Sequence, residues 1–106
     1  MPAPPELEGF QRKHLRALAH SRKPIVEVGE AGITSAVRSA LDRALLDHEL
    51  VKVRLRQPED KRGSAQDLAT GSAAALCGIV GHTVILYRPH PETPAIEIPR
   101  RPKPSA

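Results

Sequence analysis

The chain has 106 residues, enough for one domain with a modest core and too few for an enzyme built around a large cleft. Hydrophobic residues make up 40% of it, yet only Phe10 and Tyr87 are aromatic, so the core must be assembled from Leu, Val, Ile and Ala. The net charge is +4, from 16 Lys and Arg against 12 Asp and Glu, an excess that admits a polyanionic partner without demanding one.

Residues 1–5 contain two of the prolines closest to the start (Pro2 and Pro4) and a third at Pro5, and read as a flexible lead. From Glu6 to about His20, Leu7, Phe10, Leu15 and Leu18 with Ala17 recur at helical spacing, while Gln11, Arg12, Lys13 and Arg16 take other faces. Ser21 to Pro24 breaks this helix, and Ile25 to Val28 is a short strand ending at Gly29. Ile33, Val37, Leu41 and Leu45 then give the clearest amphipathic helix in the chain, with Thr34 placed to cap it.

Leu50 to Arg56 alternates with period two. Val51, Val53 and Leu55 take one face, and Lys52, Arg54 and Arg56 form a basic row on the other. After a charged loop, Gly63 to about Cys77 is rich in Ala and reads as a third helix, weakened by Gly71. Gly78 to Val80 and Thr83 to Tyr87 read as two strands of a hairpin turning at Gly81-His82. From Pro89 onward six of 18 residues are proline, which leaves at most Ala95 to Ile98 as an edge segment.

The order helix-strand-helix-strand-helix-strand-strand implies a compact two-layer α/β domain with a mixed sheet. The folded unit is expected over residues 6–89, followed by a proline-rich tail over 90–106. A single cysteine, Cys77, cannot form an internal disulfide and fits a reducing, cytoplasmic setting; no run of 18 apolar residues is present to span a membrane.

The most informative motif is Gly29-Glu30-Ala31-Gly32, between strand and helix start. Two glycines three apart let the backbone turn sharply and come close to a ligand. The helix that follows aims its unpaired N–H groups and the positive end of its dipole over the turn. Such a turn holds a phosphate chain without reading bases, as the Gly-x-x-Gly loop does in KH modules. A glycine needed only for the local turn is the plain alternative.

Chemistry of other kinds finds little footing. His14, His20, His48, His82 and His90 lack paired metal-ligand spacing, and Cys77 lies in an apolar stretch that suits a small core residue. The loop lacks the further glycines, Lys and Ser or Thr of a P-loop. A non-enzyme with no cofactor and no metal is therefore expected. With so few aromatics, readout by stacking is disfavoured, and backbone and shape recognition of structured RNA is the better reading.

Four blocks in order, His20-Ser21-Arg22-Lys23-Pro24, Val28 to Thr34, His48 to Val53, and Ile79 to Pro89, resemble the CRM domain (chloroplast RNA splicing and ribosome maturation) in its stand-alone bacterial, YhbY-like form. The resemblance runs from about Leu7 to Pro89. It implies a fold similar to the C-terminal domain of translation initiation factor three, RNA binding, and association with rRNA in precursors of the large ribosomal subunit. Carried onto this chain, the implied contacts are Gly29, Glu30, Ala31 and Gly32 with Lys23, together with Arg12, Lys13 and Arg16 of the first helix. Thr34 at the helix start, Lys52 and Arg54 of the basic row, and Arg88 beyond the last strand complete the expected set. One departure stands out: the inner loop residues are often small polar or basic in the family, and a carboxylate at Glu30 would repel a phosphate lying across the loop. The alternative function is a protein-interaction module that docks an acidic partner through the basic face and the proline-rich tail.

Overall fold

The computed structural model of the chain describes residues 4–100. They form α1 (Gly9–Ala19), β1 (Val26–Val28), α2 (Ser35–His48), β2 (Leu50–Leu55), α3 (Lys61–Gly71), β3 (Ala75–Val80) and β4 (Thr83–Tyr87). The four strands make one sheet in the order β1-β2-β4-β3. β1 runs parallel to β2, with Val28 opposite Leu55, as a strand-helix-strand unit requires; β4 pairs antiparallel with both β2 and β3. The α/β class, the element order and the mixed sheet are those expected from the sequence.

The layering differs from the two layers expected. Val26, Val28, Val51, Val53, Leu55, Val84 and Leu86 pack against Leu41, Ala44 and Leu45 of α2 and Ala65, Leu68 and Ala69 of α3. Alternation sends Leu50, Ile85 and Tyr87 to the opposite face, where they meet Cys77 and α1 through Leu15 and Ala19. The sheet is thus enclosed by helices on both sides, and α1 is a layer of its own.

Element boundaries moved where alanine misleads. The third helix ends at Gly71, and Ala75 to Cys77 belong to β3. Ala73, at φ +54, turns the chain, and pairing of Ala75 with Tyr87 and Leu76 with Leu86 overrides the helical preference of alanine. Phe10, part of the apolar spacing read in the first helix, is 37% exposed, whereas Tyr87 is buried. Ala95 to Ile98 is not a strand, but Ile96 and Ile98 pack on the α1-side cluster.

A single residue, Glu49, joins α2 to β2 and takes φ +63, which lets the chain reverse without a loop. No helix among the described residues is long and apolar enough to cross a membrane.

Candidate nucleic-acid interface

The Gly29–Gly32 segment closes as a tight turn. Gly32 N–H donates to the Gly29 carbonyl at 3.0 Å, and Gly32 sits at φ +78, in the left-handed region that glycine enters freely. Thr34 caps α2 as expected: its Oγ1 accepts the Val37 N–H at 3.2 Å. That leaves the first N–H groups of α2 directed at the space over the turn.

The charges beside the turn do not favour phosphate. A cleft of about 560 Å³ lies against it, lined in part by Gly29, Glu30, Arg56, Glu59 and Asp60. Arg56 is the one cation on that lining, and its guanidinium is paired with Glu27 at 3.2 Å. Asp60 is engaged in capping α3, where it accepts the Gly63 N–H. Glu30 and Ala31 are both exposed.

Cations of a different kind gather on the face of the sheet that α1 covers. Arg16 Nη1 donates to the Cys77 carbonyl at 2.7 Å, and its stem crosses β3 at Gly78, where a Cβ would come within 2.5 Å of the arginine. Arg12 donates to the Leu7 carbonyl, Arg22 to the Leu50 carbonyl at 3.1 Å, and Lys52 Nζ to the Arg22 carbonyl at 3.0 Å. Lys23 and Arg54 are exposed and line one shallow recess with Ile25 and Glu27, the residue opposite Arg54 on β1 whose carboxylate Arg56 engages. A carbonyl fixes a guanidinium in place without neutralising it.

None of Arg12, Lys13, Arg16, Arg22, Lys23, Lys52 and Arg54 is in an ion pair with a carboxylate among the described residues. On the α2–α3 side the pattern inverts. Arg38 pairs with Asp67 at 3.2 Å, Arg43 with Asp47 at 3.4 Å and Arg88 with Asp42 at 2.8 Å. Lys61 and Arg62 of α3 are the exceptions, the first donating to the Gly81 carbonyl at 2.7 Å and the second exposed without an ion pair among the described residues, so unpaired cations are more numerous on the α1 side but not confined to it.

Of the residues singled out from sequence, the structure brings Arg12, Lys13, Arg16, Lys23, Lys52 and Arg54 to this side, with Gly29, Glu30, Ala31, Gly32 and Thr34 at one end of the sheet. Arg88 is separated from them. It follows the β4 residue that pairs with Leu50, at the end of the sheet away from the turn, roughly 17 Å along β2. Its side chain is only 16% exposed and is spent on Asp42 and the Ser72 carbonyl.

Two residues were missed. Arg22 belongs to the cationic side and stands in the visible His20-Ser21-Arg22-Lys23 run. Glu49 is 4% exposed, and its carboxylate accepts the backbone N–H groups of His90 at 2.7 Å, Ala95 at 2.8 Å and Ile96 at 2.9 Å. Burial alone would raise its pKa; those three N–H groups and nearby His90 outweigh burial and hold the carboxyl below the usual range. Tyr87 goes the other way, pushed up to about 12 by burial and then by Glu49 and Cys77. No signal within the Glu49 neighbourhood of the sequence announces partners 41 to 47 residues away.

Residues 7–88 match the CRS1 / YhbY (CRM) domain. The chain belongs to that family. It is 37% identical over 95 residues to the probable RNA-binding protein YqeI of Bacillus subtilis, covering 88% of this chain and 99% of that one. It is 34% identical over 93 residues to an RNA-binding protein of Haemophilus influenzae, covering 86% and 93%. The solution structure of SAV1595 from Staphylococcus aureus superposes with a TM-score of 0.78 at 32% identity, over 89% of this chain and all of that one. CRM-family membership agrees with the resemblance carried by the four sequence blocks.

Proposed function

We propose that this CRM-domain chain binds structured RNA without catalysis, and that its target is rRNA in precursors of the large ribosomal subunit, whose assembly it assists. The observation that carries RNA binding is a concentration of unpaired cations: seven on the α1 side rest on carbonyls or in solvent, while on the α2–α3 side Arg38, Arg43 and Arg88 are matched by carboxylates and Lys61 and Arg62 are not. The names of the relatives point the same way. The rRNA target rests on the family resemblance.

The contact is electrostatic. Phosphates lie along Arg12, Lys13, Arg16, Arg22, Lys23, Lys52 and Arg54, with the Gly29–Gly32 turn and the start of α2 offering N–H donors at the border. If about five phosphates are neutralised, log affinity falls against log salt with a slope of about −3.5 to −4.5. Titration of fragmented large-subunit rRNA across a salt series tests this, with Lys23→Glu/Arg54→Glu alongside. The double reversal should flatten the slope and weaken binding while the circular dichroism spectrum is unchanged. Equal binding by the variant would remove this face from the interface.

The protein-docking alternative loses its ligand in part. The described stretch of the proline-rich segment already gives three N–H groups to Glu49 and two isoleucines to the core, so a partner would have to displace it.

A further inference from the structure

The family match ends at residue 88, yet the chain continues across the domain as a strap. Arg88 N–H donates to the Glu49 carbonyl, and the Glu49 carboxylate then takes the N–H groups of His90, Ala95 and Ile96. Between them, His90 Nδ1 accepts the Glu92 and Thr93 N–H groups at 3.1 and 3.0 Å and closes a local turn. Ile96 and Ile98 drop into the α1-side cluster, and Gln11 Nε2 of α1 donates to the Pro99 carbonyl at 3.1 Å. The strap thus starts at the far end of the sheet and finishes against α1 at Gln11.

The residue after that last hydrogen bond is Arg100, which is exposed and has no carboxylate partner among the described residues. Resting on the RNA-binding reading above, we propose that the strap is a clasp that sets Arg100 against α1, the helix that carries Arg12, Lys13 and Arg16, as a further phosphate-contacting residue, with Glu49 as its positioning residue. A cation on a free tail would lose conformational freedom on meeting a phosphate. Here that ordering is done within the protein: one buried carboxylate collects three backbone donors, and two isoleucines and Gln11 hold the remainder. Glu49 stands at φ +63, a backbone angle that favours glycine, and a glycine there would leave the three strap N–H groups without their acceptor.

A four-protein cycle tests it: the full chain, Arg100→Ala, Glu49→Gln and the double variant, each titrated with fragmented large-subunit rRNA over a salt series. Glu49→Gln keeps the shape but turns an amide N–H toward the His90 N–H, so the His90, Ala95 and Ile96 amides should exchange faster. Arg100→Ala should leave thermal unfolding unchanged and reduce the magnitude of the salt slope by about 0.7–0.9, one phosphate contact. Glu49→Gln should weaken binding as well, and the double variant should bind no worse than Glu49→Gln, because Glu49 acts through Arg100. Binding by Arg100→Ala equal to that of the full chain, or strictly additive losses in the double variant, would overturn the clasp while leaving the RNA-binding reading intact. Absence of binding by the unaltered chain would remove that reading, and this inference with it.

Discussion

The two loop glycines are equally open in space and unequal in backbone, which separates folding from binding. A Cβ built at Gly29 or at Gly32 meets no atom within 4 Å, so neither substitution to alanine creates a clash. Gly32 alone has a positive φ, +78. Alanine in the left-handed region costs about 1–2 kcal/mol. The smaller freedom of alanine in the unfolded chain returns about 0.4–1 kcal/mol. Gly32→Ala should therefore destabilise by about 0–1.6 kcal/mol, and by about 1–2 kcal/mol relative to an alanine at a position with ordinary φ. In a domain of this size that lowers the melting temperature by up to about 13 °C, at roughly 4–8 °C per kcal/mol. Gly29→Ala meets only the second effect and should leave the melting temperature unchanged or slightly raised. Its methyl nevertheless stands on the open side of the turn, where a phosphate chain would come closest. Thermal unfolding by circular dichroism, followed by rRNA titration, reads both. A Gly29→Ala protein that is as stable as the parent but binds more weakly places RNA against the loop backbone. A destabilised Gly29→Ala, or a Gly32→Ala as stable as Gly29→Ala, would refute the conformational reasoning; parental affinity in both would take the loop out of the interface.

Two further expectations follow from buried groups. Cys77 is 2% exposed and its thiol is pushed up to about 12 by burial, against the opposing pull of Arg12 and Arg16. It should therefore resist a thiol reagent such as dithionitrobenzoate at neutral pH and react at once in denaturant; fast reaction of the native protein would show that α1 lifts readily from the sheet. The Glu49 carboxyl is held below its ordinary value of 4.5, so the folded state binds that proton less readily than the unfolded one. The stability this contributes is fully present above about pH 4.5 and is lost as the pH falls through the lower folded value. Amide exchange at Ala95 and Ile96 should accordingly accelerate relative to the β2–β4 amides in the acid range in the parent chain, and Glu49→Gln should abolish that pH dependence; an unchanged profile in the variant would assign it to another carboxylate.

What could be read from sequence tracks how local its cause is. α2 was legible because Val37, Leu41 and Leu45 repeat at helical spacing and Thr34 supplies its own cap three residues before Val37. β2 was legible from its period of two. The α3–β3 boundary was not, because Ala73 to Cys77 carries no period and only pairing with Leu86 and Tyr87 decides it. The third layer left a trace that the alternation of β2 concealed: Val84-Ile85-Leu86-Tyr87 is an unbroken apolar run, as expected of a strand covered on both faces. The basic residues could be listed from sequence, but not which of them would find a carboxylate. That Arg88 is paired with Asp42 and Arg54 has no such partner depends on contacts across tens of residues. Glu49 is the single residue between α2 and β2, and nothing near it in the sequence told that it would hold the strap.

The same concentration of unpaired cations sets where an RNA can lie on the proposed face. The turn offers N–H donors, but the cleft on its far side is rimmed by Glu30, Glu59 and Asp60, and Arg56 there is matched by Glu27. Phosphates at 4 Å from an exposed carboxylate are repelled by about 1 kcal/mol even in water, more where the site is partly dry. On the proposed reading the polyanion is repelled from that cleft and runs toward Lys23, Arg54 and α1, where Glu27 is the one carboxylate in the recess it meets. On that path the carbonyl-bound arginines meet it with their side chains already ordered, so attraction is not spent on fixing them. Lys13, Lys23 and Arg54 lack such an anchor and must be ordered by the ligand itself. The acidic rim then acts as a boundary of the footprint, and Glu30, at odds with a phosphate laid across the loop, belongs to that boundary.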